Sequence, residues 1–117
     1  MDISKRLKAA QYSMQGLARL WSEEAFRTEA YAFIASLTVF LMVAARGVDY
    51  LIFTSLMLLL FCVEAINTAI EELVDHVSPE ISQVGKNAKD LGSFAVFCVI
   101  SINALFVIYV IARQLML

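Results

Sequence analysis

The chain has 117 residues, 61% of them hydrophobic, and a net charge of −2. A mean hydropathy of +0.76 with one proline is too apolar for a soluble domain, and the length is too short for two domains. The charge balance offers no basic field, which argues against nucleic acid as a partner, and one histidine, His76, argues against a zinc site or a Ser/His/Asp triad.

At the N-terminus, apolar residues recur at Ile3, Leu7, Ala10, Met14, Leu17 and Trp21, drawing one continuous face, with Lys5, Gln11, Gln15 and Arg19 off it. This predicts an amphipathic helix over residues 3–21 lying in a membrane interface; a soluble packing helix is the plainer alternative. Its alternation of apolar and polar residues is not a signal-peptide pattern. A first span is expected over 26–45: Ala30–Ala45 covers only ~24 Å at the helical rise, so the helix must reach back to Phe26, leaving Arg27 and Glu29 at the interface. Arg46-Gly47-Val48-Asp49 reads as a tight turn. A second span is expected over 50–75, and Tyr50–Val63 within it contains no charged residue. Ser78-Pro79 offers a stop and Glu80 a restart, with a third span over 86–113. Cys62 and Cys98 lie in apolar runs without CxxC or Cys/His spacing and read as buried, reduced thiols. The expected fold is therefore a single all-α membrane domain over residues 1–117: an N-terminal interfacial helix and three transmembrane helices.

Lysine and arginine fall five before the first span, one in the first turn, two in the second connection and one near the end. That asymmetry places the N-terminus and the second connection in the cytoplasm. Glu64 then lies ~10 Å beneath the cytoplasmic face of the hydrocarbon, and Asn67, Glu71 and Asp75 climb one helix face from there to the surface. Carboxylates beside hydrocarbon are expensive and usually mark function. Glu64, deepest and least hydrated, suits a general base; the alternative is a structural hydrogen bond. Glu71, nearer water, suits a hard cation such as Mg²⁺. Asn67 could orient Glu64, bind phosphate, or serve as interhelical glue. Lys86, Lys89, Asp90 and Ser93 share a face at the level of Glu71 and Asp75. Lys89 there could neutralise phosphate, with Asp90 fixing Lys89 or a ribose, or the set could be interfacial anchors. Glu23, Glu24 and Glu29 could add ligands or remain solvated. A lipid hydroxyl and a water-soluble cosubstrate would meet along such a stripe. A cation carrier or channel is the non-enzymatic alternative. Below Glu64, however, the second span offers only the Tyr50 phenol and the Cys62 thiol, so an ion path would end blindly.

The run from Glu64 to Asp75, EAINTAIEELVD, resembles the E-x-x-N-[ST]-A-I-E-x-x-V-D signature of the prokaryotic diacylglycerol kinase family. Ala88-Lys89-Asp90-Leu91-Gly92-Ser93 resembles its A-K-D-x-x-S motif. Leu7-Lys8-Ala9-Ala10, Tyr12-Ser13, Gly16-Leu17, Trp21 and Ala25-Phe26-Arg27-Thr28-Glu29 resemble its N-terminal pattern. The resemblance implies a small membrane lipid kinase of the bacterial inner membrane, a homotrimer with shared active sites, phosphorylating diacylglycerol with MgATP to give phosphatidic acid. Undecaprenol is the nearest alternative acceptor, and Leu-Gly-Ser after Lys89-Asp90 resembles the diacylglycerol branch more. By the same resemblance Glu64 is the base, and Glu71 and Glu23 are metal ligands. Lys5, Tyr12, Asn67, Glu80, Lys89 and Asp90 contact nucleotide. Ala25, Phe26, Arg27, Thr28, Glu29, Glu64 and Ser93 contact lipid. The chain is one residue shorter than the family between Trp21 and Phe26. Counting forward from Trp21 would make Glu24 the ligand, but the longer match after Phe26 favours Glu23. Lys5 stands where the family has an arginine, and lysine lacks the bidentate phosphate contact.

Overall fold

The computed structural model describes residues 2–78, 80 and 82–117, and among these there is no strand. Four helices follow in order: α1, Ile3–Trp21; α2, Glu24–Met42; α3, Gly47–Val77; and α4, Gln83–Met116. The last three are long and apolar enough to cross a membrane. Together with the broad exposure of residues such as Leu51, Leu58, Phe94, Phe97 and Leu105, they make this an all-α membrane protein. α3 and α4 have 31 and 34 residues, or ~46 and ~51 Å at the helical rise, so each extends beyond a ~30 Å hydrocarbon core.

Local chemistry sets each boundary. Asp2 caps α1 by accepting from the Lys5 N–H at 2.8 Å. Ser22 closes it, its hydroxyl donating to the Arg19 carbonyl at 2.6 Å. Trp21 then meets Phe26 and Tyr31 edge-on, with centroids 6.0 and 6.2 Å apart, which folds α1 back against α2. The turn between α2 and α3 falls at residues 43–46, earlier than the expected Arg46–Asp49. Gly47, Val48 and Asp49 are instead the first turn of α3, because the Asp49 carboxylate accepts the Arg46 N–H at 2.9 Å and so secures the helix start. The left-handed residue is Ala44 at φ 55°, and not the neighbouring glycine. α4 begins at Gln83, a turn before the expected Lys86, because Ser82 caps it by accepting from the Gly85 N–H at 3.0 Å. Pro79, the expected stop after α3, lies outside the described residues.

α3 and α4 form the principal packed pair, with α2 laid against them. The core between them is Phe40, Phe53, Met57, Leu60, Val96, Val99 and Val110. Asn103 crosses it, its Nδ2 donating to Val99 O at 2.9 Å and to Leu56 O at 3.3 Å on the facing helix. At the end remote from α1, Arg113 pairs with buried Asp49 and lies over the Tyr109 ring at 5.4 Å. Gln114 there donates to the Ala44 carbonyl at 2.9 Å. This clasp joins α4 to both sides of the α2–α3 turn. The thiols are free but less buried than expected: Cys62 is exposed and Cys98 half-buried, because their helix faces turn outward from the core.

Candidate active site

Polar side chains gather at the end of the bundle that carries α1 and the α3–α4 connection. Deepest is Glu64 on α3, 5% exposed, with Glu29 of α2 beside it, 9% exposed. Each carboxyl has one buried oxygen, Oε2, with no hydrogen-bond partner. Glu29 was expected at the interface; the aromatic contact between Phe26 and Phe61, centroids 4.9 Å apart, seats this turn of α2 against α3 and carries Glu29 inward. Beyond the carboxyls an apolar groove of about 450 Å³ runs between α2 and α4 over α3. It passes Thr28, Glu29, Ser36, Met57, Leu60 and Asn103.

One turn on from Glu64, Asn67 is buried but does not orient it. Its Nδ2 donates to Glu71 Oε1 at 3.3 Å, while its Oδ1 is buried and unpartnered. That oxygen lies against Gly92 of α4, where any Cβ would collide with it, so the glycine is what lets the amide fit between the helices. Farther out, Asp75, Ser78, Glu80, Ser82, Lys86, Lys89 and Asp90 line a polar cavity of about 240 Å³. Its ion pairs differ from expectation: Lys89 reaches across to Asp75 at 2.5 Å, and Asp90 holds Lys86 at 2.6 Å. Asp90 and Lys86 are one helical turn apart and meet on their own helix, whereas Lys89 and Asp90, adjacent in sequence, do not face each other, and Lys89 reaches α3.

The remaining expected residues divide. Glu23 is the N-cap residue of α2, and its carboxylate pairs with Arg19 at 2.8 Å. Arg19 also pairs with Glu72 of α3, and its hydrogen bonds to Glu23 and then Glu72 hold the guanidinium pKa above its ordinary value. Glu24 is exposed in the first turn of α2. Arg27 donates to the Trp21 carbonyl at 2.8 Å and thereby braces the α1–α2 corner. Phe26 is buried in the aromatic contact, and Ala25 and Ser93 are exposed. Lys5 and Tyr12 lie exposed on α1. Among the described residues no three His, Cys, Asp or Glu side chains converge on one point. Sequence reasoning did not single out Arg19 with Glu72, or Asn103. The first two are 53 positions apart and become partners only through the fold.

Three apolar helices, with buried carboxyls and a lysine-flanked polar cavity gathered at one end of the bundle, define an all-α membrane protein. Residues 11–112 match the profile of prokaryotic diacylglycerol kinase, and the chain belongs to that family. It is 53% identical over 103 residues to a diacylglycerol kinase of Sinorhizobium sp, across 88% of this chain and 75% of that one. To the diacylglycerol kinase of Escherichia coli K12 it is 35% identical over 95 residues, 80% and 78% of the two chains. With that of Pseudomonas aeruginosa it shares 37% over 102 residues, 86% and 82% of the two chains. The chain is accordingly an enzyme, a lipid kinase, and the ion-path alternative falls away.

Proposed function

We propose that the enzyme transfers the γ-phosphate of MgATP to the free hydroxyl of diacylglycerol, giving phosphatidic acid, at the cytoplasmic face of the bacterial inner membrane. The observation that carries this reading is the buried Glu29–Glu64 pair at the head of an apolar groove, with the polar cavity farther out. A lipid's hydrocarbon suits the groove and its hydroxyl suits the carboxyls, while a nucleotide stays with the water-facing lysines. The kinase names of the relatives in three bacterial genera support the acceptor.

In this reading Glu64 accepts the hydroxyl proton as the lipid oxygen attacks the γ-phosphorus and the bond to the β–γ bridging oxygen breaks, releasing ADP, and Glu29 orients the same hydroxyl. Lys89 exchanges Asp75 for phosphate, and Asp90 with Glu80 borders the nucleotide. One donor here fits a hard cation: Glu71 is a carboxylate, half-buried, whose Oε1 alone is engaged, by Asn67. Glu71 and Glu23 would hold Mg²⁺, which when bound neutralises phosphate charge; phosphate oxygens and water would complete its shell. A homotrimer with shared sites accounts for Lys5 and Tyr12, which lie exposed on α1 within one chain. The basic bias of the N-terminal segment supports its cytoplasmic placement.

The test is purified protein in mixed micelles with radiolabelled ATP and Mg²⁺, offered diacylglycerol, undecaprenol or neither. Labelled phosphatidic acid as the dominant product is expected. Dominant labelling of undecaprenol would replace the acceptor, and no labelling of either would overturn the reading.

A further inference from the structure

Arg19 stands one turn before the corner between α1 and α2, and its side chain spans that corner. Nη1 donates to Ser22 Oγ at 2.7 Å and to Glu23 Oε1 at 2.8 Å, while Nη2 pairs with Glu72 Oε1 on α3. A planar guanidinium has enough donors, in fixed directions, to do this from one side chain. Glu23 makes no side-chain hydrogen bond to the start of its own helix. Among the described residues, therefore, Arg19 is what fixes the Glu23 carboxylate, engaging Oε1 and leaving Oε2 for another ligand. The anchor on the far side, Glu72, directly follows Glu71 on α3. The surface helix, the start of α2 and the acidic end of α3 are thus joined through one cation.

We propose that Arg19 is a positioning residue for the phosphoryl transfer: anchored on Glu72, it holds the Glu23 carboxylate at the acidic end of α3, where the divalent cation and phosphates bind. The proposal rests on the reading that Glu23 and Glu71 hold that cation. Arg19, Glu23 and Glu72 are all substantially exposed, and ion pairs in such settings contribute little to folding stability. A purely structural role would therefore leave cation affinity alone. Positioning a ligand through its outer partner changes that affinity directly.

The experiment is Mn²⁺ titration of the full-length protein in mixed micelles with a non-hydrolysable ATP analogue, following free Mn²⁺ by electron paramagnetic resonance. Arg19→Gln and Glu72→Gln are each expected to weaken Mn²⁺ binding about tenfold, with the lipid KM, measured separately with ATP, unchanged. Arg19→Lys should fall between, since a point charge serves one carboxylate better than two. Wild-type Mn²⁺ binding in Glu72→Gln, with binding lost in Glu71→Gln and Glu23→Gln, would overturn the positioning role and leave the cation site standing. Unchanged binding in Glu71→Gln and Glu23→Gln would remove the cation site and this proposal together.

Discussion

Two carboxyl groups held side by side away from water must share a proton, a cation or a hydroxyl, because the unscreened repulsion of two carboxylates is costly. Glu29 and Glu64 stand in that relation, each with a buried, unpartnered oxygen. A site of this kind is prepared for a ligand that donates a hydrogen bond, and an alcohol is such a ligand. Glu64→Gln keeps the shape and removes the carboxylate proposed as the base. It is expected to lower turnover on the order of 10²–10⁴-fold while a fluorescent nucleotide still binds with near wild-type affinity. Activity within threefold of wild type would remove Glu64 from the base role. Glu71 differs because it accepts from Asn67 and lies farther from the bundle interior. Glu71→Gln should raise the Mg²⁺ concentration for half-maximal rate, read from a metal titration at saturating lipid. Glu23→Gln should share that phenotype and Glu24→Gln should be mild, since neighbouring positions differ by about 100° around a helix axis. The reverse order would move the one-residue shortening to the other side of the glutamate.

Between α3 and α4, Gly92 lies where the Asn67 amide occupies the space a side chain would fill. The absence of a Cβ lets two long helices close around a buried polar group without splaying. Gly92→Ala adds one carbon at a point already in contact. It is expected to destabilise the pair by about 1–3 kcal/mol and to disturb the hydrogen bond from Asn67 to Glu71. Thermal denaturation in micelles, followed by circular dichroism, checks the first effect, and the metal titration checks the second. A fully stable variant with an unchanged metal response would show that the helices separate there at no cost. Gly85 makes a similar approach to Val74, 2.9 Å from where a Cβ would stand, so both glycines at this end of α4 serve close packing.

Across the whole molecule the two ends have different tasks. The end bearing α1 collects carboxylates, lysines and an open polar cavity, whereas the other is tied shut by Asp49, Arg113 and Gln114. Asp49 is 1% exposed and its pairing with Arg113 fixes where α4 ends relative to the α2–α3 turn. Breaking such a buried pair on one side strands a charge and typically costs about 3–5 kcal/mol. Asp49→Asn should therefore lower the unfolding temperature markedly while leaving the Mg²⁺ and lipid requirements of the folded fraction unchanged. Asp49→Leu with Arg113→Met should recover much of the loss, because no unpaired charge remains. If Asp49→Asn melts like wild type, the clasp is not what closes this end.

The sequence by itself determined the class of fold and the chemical inventory. Long apolar runs force helices on any chain that enters a bilayer, since unpaired backbone groups are not tolerated there. The spacing of Glu64, Asn67, Glu71 and Asp75 places them on one face of α3 whatever surrounds it. Contacts between distant positions were decided by tertiary packing alone. Glu29 met Glu64 because an aromatic contact set the depth of α2. Asn67 came to lie against Gly92, a partner on another helix. Lys89 met Asp75 on the facing helix, while its sequence neighbour Asp90, which points elsewhere, paired with Lys86. Arg19 gained Glu72 from a helix that begins 28 residues after it. Helical periodicity fixes which side chains share a face of one helix; it carries no information about the depth or rotation at which that face meets another, and packing supplies both.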